Sequence, residues 1–422
     1  MRSKNLLFVF VLITTLALPL GAVAQDDGER PLIGAWDTCA DPANLSGEVK
    51  IGVAFAQSEA AAIYGVPQQQ AVELAIAEIN ESGYLGEATL VAVTEDAGST
   101  PETAISAFTN LVAEDVSAII GPTLSNQAMA ADPVAFGTER QESGDPLIPV
   151  VGVSNTRTGM ETDFAASYGD GGAYFRRISL PESKVIPGTV EQVVDILGIE
   201  TVGIMYSDND QFTASAYEVF VSALEENGVE IVATETFATG DVDFTAQLTN
   251  IIAANPDAIV VSALAAEIVP LLEQARSQLG YTGPIIGGNG FNTPGIASED
   301  RGAGTDANGV VVGGAWNVAR QNEISTAFTA KYEEEYGTPA DQFAVQAYTG
   351  TWVVATAIRC ADSADPAAVL EALATTADFE TPLGTFSFDE DGLPEHEPVA
   401  QIIKDGQYLL LTEESAAEVF GE

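Results

Sequence analysis

The chain has 422 residues, 62 of them acidic and 15 basic, for a formal charge of −47. That balance excludes nucleic acid and anionic bilayer surfaces as partners, because phosphate contacts need a Lys/Arg-rich face. Hydrophobic residues make up 46% of the chain, so it folds around a core and is no disordered polyanion. The acids are scattered along exposed helix turns, as in VEQVVDILGIE and SALEENGVE. Such a surface suits a salty medium, where counterions screen self-repulsion.

Arg2 and Lys4 precede an apolar run, Leu6 to Leu20, and then Ala22-Val23-Ala24. This pattern predicts a secretory signal peptide over residues 1–24, cleaved near Ala24. No Cys follows the site, which argues against a lipid anchor there, and no other stretch is long and apolar enough to cross a membrane. The expected location is periplasmic or extracellular. Roughly 400 residues then remain, more than one core usually serves, so two domains are expected after an N-terminal segment, residues 25–46. Cys39 and Cys360 are the only cysteines. In an exported chain so sparse a pair is most simply one disulfide, with two buried thiols as the alternative.

Short apolar runs, polar turns and amphipathic helices then alternate. Val49–Phe55 reads as a strand, and Val72, Ala75, Ile76 and Ile79 recur at helical spacing after it. Leu90–Val93 is a second strand. Ser99 or Thr100 caps the next helix, Pro101 fits its first turn, and Ile105, Phe108, Leu111 and Val112 form its apolar stripe. Strands at Val116–Ile120 and Leu147–Val153 follow. From residue 187 the same order restarts, with a helix over Val190–Leu197 and strands at Val202–Tyr206, Ile231–Thr234, Ala258–Val261 and Pro284–Ile286. Between these strands run helices over Ala214–Glu226, Phe244–Ala253 and Ile268–Leu279. Helices over Ile324–Tyr336 and Phe343–Cys360 and three late strands, Gly384–Phe388, Ala400–Ile403 and Tyr408–Leu411, complete the chain. Two such runs predict an α/β fold of two doubly wound, Rossmann-like lobes.

Ligands of open α/β sheets sit outside the carboxyl ends of the strands. The turns there carry Ser, Thr, Asn, Gly or an aromatic ring, and no His, Lys or Cys. One reads GPTLSNQ (121–127). Its Ser125 and Asn126 stand either as caps of the following helix or as groups for a bound carboxylate. His396 is the only histidine, and no G-x-S-x-G, S-x-x-K, H-E-x-x-H or P-loop pattern occurs. GAGTDA (302–307) reads as a surface loop and DND (208–210) as a solvated turn, not as cofactor or calcium sites. No enzyme, metal or cofactor is expected.

In this order, VKIGVAF, Tyr64-Gly65, AVELAIAEIN, EDAGSTPETAI, IIGPTLS, YFRR, VGIMYSDND, FATGDVDFTAQL, LLEQARSQLG and PIIGGNG resemble the type I periplasmic solute-binding proteins of ABC importers. The likeness is to the leucine/isoleucine/valine-binding branch and covers Val49 to Leu411. It implies two lobes joined by a three-crossing hinge: residues 47–177 with 316–383, and residues 178–315 with 384–422. It further implies hinge closure on a small polar solute, which is passed to a membrane permease, and a monomer without a membrane anchor.

By the same resemblance, Ser125 and Asn126 in one turn and Ser154, Asn155 and Thr156 in another grip the solute, and Tyr64 lines the cleft. In the second lobe Phe212 stands where a tyrosine is expected, and Leu264 and Ala265 where aromatic residues are. Asn289 stands where amino-acid binders carry the acid that pairs with the ammonium. A neutral amide cannot balance a buried positive charge. Either Asp208 or Asp210 substitutes, or the solute is an amide, a urea-like molecule or a carboxylic acid. Two other readings are a ligand-binding sensor for a signalling receptor and a secreted carboxylate-dependent hydrolase.

Overall fold

The valine- and isoleucine-rich runs form strands buried on both faces, as parallel strands under helices must be. The computed structural model describes residues 30–320 and 322–421; the expected signal peptide lies outside them. Five parallel strands make the first sheet: β1 (Ser46–Phe55), β2 (Glu87–Asp96), β3 (Ile119–Ile120), β4 (Val150–Gly152) and β5 (Phe175–Arg177), in the order β2-β1-β3-β4-β5. Parallel strands β6 (Thr201–Ser207), β7 (Glu230–Phe237), β8 (Ala258–Ser262), β9 (Ile285–Gly287) and β10 (Val310–Gly314) begin the second sheet. A small antiparallel sheet joins β11 (Phe379–Thr381), β12 (Gly384–Phe388) and β13 (Pro394–Glu395). Antiparallel β14 (Val399–Lys404) and β15 (Gln407–Leu410) complete the second sheet, ordered β15-β14-β10-β9-β8-β6-β7.

Each large sheet reverses its strand order once, between β1 and β3 and between β6 and β8. Those reversals open crevices at the carboxyl ends of the strands. Two elements brace the first sheet, the helices Ala62–Glu81 and Gln342–Ala361, packed against each other. The second of these is buried along almost its whole length, from Gln342 to Arg359. Cys39 and Cys360 form a disulfide across 321 residues of sequence, tying the N-terminal segment to the end of that helix.

Several local expectations change. Ile105 is exposed, because Ala104, Ala107, Phe108 and Leu111 form the stripe of the helix Pro101–Leu111. Val116 is buried but unpaired, so β3 has only two residues. The helix expected from Val190 begins at Glu182 and runs through Pro187, since Val185 and Ile186 before the proline face the core. The expected helix Ile268–Leu279 is the α-helix Ala265–Glu273 followed by a π turn at Gln274–Gln278. There the Gln274 carboxamide accepts the Phe244 N–H at 2.6 Å.

Candidate functional site

The GPTLSNQ turn follows β3 at the first reversal. Gly121 has φ +123°, and a Cβ there would lie 2.3 Å from the Ala54 carbonyl oxygen. Only glycine lets the turn lie this close to β1. Neither Ser125 nor Asn126 caps the helix Ser125–Ala131. Gln127 Oε1 accepts the Leu124 N–H at 3.1 Å instead, and the Ser125, Asn126 and Gln127 N–H groups make no hydrogen bond among the described residues. Ser125 Oγ accepts the Arg157 N–H at 3.3 Å.

One cavity opens between the carboxyl ends of the two large sheets. From the first lobe Tyr64, Ser125, Asn126, Ser154 and Thr156 line it, together with Thr123. From the second come Phe212 and Asn289, with Asp210 and Leu264 beside them, and Phe343 closes one side. Seven of the eight residues expected from sequence therefore converge. Asn155 does not: it is fully buried, and its Nδ2 donates to the Pro122 carbonyl at 3.0 Å. Asp208 is exposed and away from the cavity, and Ala265 does not line it.

Not all seven side chains are free to meet a ligand. Ser154 Oγ donates to the Thr123 carbonyl and accepts from Gln68 Nε2, both at 2.7 Å. Thr123 Oγ1 in turn donates to Gln68 Oε1 at 2.8 Å and accepts the Ala56 N–H at 3.0 Å. These hydroxyls fix the two turns against β1. Gln68, the hub, has no signal in the sequence, because a glutamine inside a helix carries no distinguishing spacing. By contrast, Thr156 Oγ1 and Asn126 Oδ1 are buried without a partner. Buried polar atoms of that kind are uncommon and call for an explanation.

Contacts also cross the cavity. Tyr64 donates its hydroxyl proton to the Gly290 carbonyl at 2.8 Å, and its ring lies 4.8 Å from that of Phe343. Gln342 Nε2 donates to Asn289 Oδ1 at 2.7 Å. The space left is about 20 Å³ for water centres, room for a water or two.

Among the described residues Asp210 is the only carboxyl lining the cavity, and no Lys, Arg or His lines it. Burial raises the Asp210 pKa, partly offset by hydrogen bonds from the Thr213 N–H and from Asn126. Two buried carboxyls stand close behind. Burial pushes Glu182 up to about 7 while it accepts the Asn289 N–H at 3.0 Å. Asp341 is pushed up to about 6 by burial, although it accepts from the Ala344 N–H and the Thr293 hydroxyl. No group of three or more His, Cys, Asp or Glu placed to hold a metal occurs among the described residues.

The family profile described as periplasmic binding protein matches residues 48–407. The leucine-, isoleucine-, valine-, threonine- and alanine-binding protein of Pseudomonas aeruginosa is 25% identical over 344 residues, covering 82% of this chain and 86% of its own. Leu/Ile/Val-binding protein homolog 7 of Brucella abortus is 25% identical over 402 residues, covering 90% and 94%. Among solved structures, the branched-chain amino acid transporter substrate-binding protein LivJ of Streptococcus pneumoniae, bound to isoleucine, superposes with a TM-score of 0.77. It is 27% identical, over 86% of this chain and 99% of that one. A Rhodopseudomonas palustris solute-binding protein in complex with benzoate reaches a TM-score of 0.73 at 21% identity, covering 86% of this chain and 96% of that one, a likeness of fold alone.

Proposed function

Since the chain belongs to the periplasmic binding protein family, we propose that it captures a small polar organic solute between its two lobes and delivers it to an ABC-importer permease. The family consists of solute-binding receptors of ABC transporters, not enzymes. No helix among the described residues is long and apolar enough to cross a membrane. The solute is an amino acid, an amide, a urea-like molecule or a carboxylic acid, and relatives named for leucine, isoleucine and valine favour the first. The lobes are residues 47–177 with 316–383 and residues 178–315 with 384–422, and they hinge where the chain crosses between them.

One observation carries this reading: side chains from turns of both sheets meet around a single cavity. The chemistry of the wall supports it. A pocket with apolar faces (Phe212, Leu264, Phe343), neutral hydrogen-bonding groups, one carboxyl (Asp210) and no cation among its described lining residues suits a small organic solute and disfavours an inorganic polyanion. The narrow space supports hinge motion, because a solute of several heavy atoms enters only if the lobes part. A solute that touches both walls then favours the closed form.

The test is a thermal-shift screen of amino acids, primary amides, urea and short carboxylic acids. Titration calorimetry and small-angle scattering follow on each hit. One-to-one binding with a fall in radius of gyration is expected; a bound solute that leaves the radius unchanged contradicts the proposal.

A further inference from the structure

The amide of Asn289 has its orientation dictated by backbone groups. The Ala315 N–H is a donor and nothing else, so the Gln342 atom 2.5 Å from it is the oxygen Oε1. Gln342 therefore turns Nε2 to Asn289, and the Asn289 atom 2.7 Å away must be Oδ1. A second chain of bonds agrees. Asn292 Nδ2 donates to the Gly313 carbonyl at 2.7 Å and stands 3.4 Å from the same Asn289 Oδ1. Asn292 Oδ1 accepts Gln401 Nε2 at 2.6 Å, Gln401 Oε1 accepts Asn317 Nδ2, and that nitrogen also donates to the Tyr408 carbonyl at 2.9 Å. Gln342, Asn292 and Asn317 are each set by a backbone donor or acceptor, and they fix the sense of Asn289 and Gln401 between them.

Gly314 makes the junction possible. A Cβ there would lie 2.6 Å from Gln342 Oε1 and 3.1 Å from Asn292 Oδ1. With its side-chain oxygen held, its backbone N–H bound to Glu182 and its carbonyl accepting the Asn292 N–H at 3.1 Å, Asn289 has only Nδ2 left. That nitrogen makes no hydrogen bond among the described residues, and the residue lines the cavity.

We infer that Asn289 meets the solute only as a hydrogen-bond donor, locked in that sense by Gln342. The solute therefore turns an oxygen acceptor (a carboxylate, amide carbonyl or hydroxyl) to this wall. The solute half of the inference rests on the proposed receptor function; the donor half does not. An ammonium at this wall would face N–H protons, so any amine on the solute lies elsewhere, within reach of Asp210.

Neutron diffraction from deuterated crystals of the full mature chain tests the donor half without a solute. Deuterons of Gln342 are expected between the two amides, with both side-chain deuterons of Asn289 off that contact. An Asn289 deuteron pointing at Gln342 overturns the inference. The solute half is read with two probes sharing an apolar body, 4-methylpentanoate and 3-methylbutylamine, by titration calorimetry. Because Asp210 weighs equally on wild type and variant, the readout is the change in the acid-to-amine affinity ratio, which Asn289→Asp is expected to shift by roughly tenfold towards the amine, as one well-made hydrogen bond allows. An acid-to-amine ratio unmoved by Asn289→Asp overturns the solute half. If the deuterons lie as expected but neither these probes nor any solute of the thermal-shift screen binds, the donor assignment stands and it is the receptor reading that fails.

Discussion

Asn126 and Asp210, 84 residues apart, meet across the cavity, with Asn126 Nδ2 donating to Asp210 Oδ2 at 3.0 Å. Asp210 Oδ1 accepts the Thr213 N–H at 3.0 Å and caps the helix Gln211–Glu226. One carboxylate thus holds a helix start in one lobe and reaches a turn in the other, with no cation among the described residues of the wall it shares.

On the proposed receptor function Asp210 supplies the negative charge that Asn289 lacks, so replacing it separates solutes by charge. Asp210→Asn is expected to weaken an amine-bearing solute by roughly 100-fold, the order of a lost buried charge pair. Binding of an uncharged or acidic solute should change by less than about threefold, since Asn126 keeps an acceptor and contacts of this kind are worth about 1 kcal/mol. Calorimetry with each solute class decides. An equal loss for both classes would mean that Asp210 serves only as a helix cap.

Stability should carry the mark of the buried acids. In the unfolded chain Glu182 titrates near 4.3; in the folded chain burial raises it to about 7. Between those values the folded state holds a proton that the unfolded state has released, so this residue's contribution falls as pH rises and is flat above about 7. Asp341 acts in the same sense over a window that closes at about 6. Glu182→Gln should remove a decline on the order of 3 kcal/mol, seen as a difference between wild-type and variant urea curves from pH 5 to pH 8. A constant difference across that range would contradict the assignment.

The Cys39–Cys360 bridge closes a loop of more than 300 residues and anchors the N-terminal segment, where Arg359 Nη2 also donates to Asp41 Oδ1 at 2.6 Å. Substituting both cysteines by serine should cost about 2–5 kcal/mol, measured by denaturant unfolding. Solute affinity should be unchanged, because neither cysteine lines the cavity.

At a formal charge of −47, surface repulsion opposes the folded state, and salt relieves it. The unfolding temperature is expected to rise by roughly 5–10 °C between 0.05 and 1 M NaCl, by order of magnitude for a chain this size. Calorimetric scans give the slope. A midpoint indifferent to salt would show that the acids are already balanced.

The alternation of apolar runs and amphipathic helices was enough to place two parallel sheets, because strands such as Ile51–Phe55 and Ala258–Val261 have no polar residue to confuse the period. The carboxyl-end rule then picked out turns that share one cavity. Sequence pattern does not reveal which polar groups are already committed to each other. Ser154 looks like a ligand hydroxyl yet is bound by Gln68 and the Thr123 carbonyl, and Asn155 looks equivalent to its neighbours yet points into the fold. Pairings such as Asn126 with Asp210 and Gln342 with Asn289 join segments far apart in the chain, and local spacing carries no trace of them. The exposed Ile105 and the helix running through Pro187 show tertiary packing overriding local preference.

The account stands on a solute held between the two sheets, and native mass spectrometry of the exported protein tests it most directly. The wild type is expected to carry one small organic molecule per chain, and Leu264→Trp, which fills the cavity with an indole ring, to carry none while remaining folded. A wild type that carries and accepts no small molecule, or a Leu264→Trp variant that keeps it, would contradict the account.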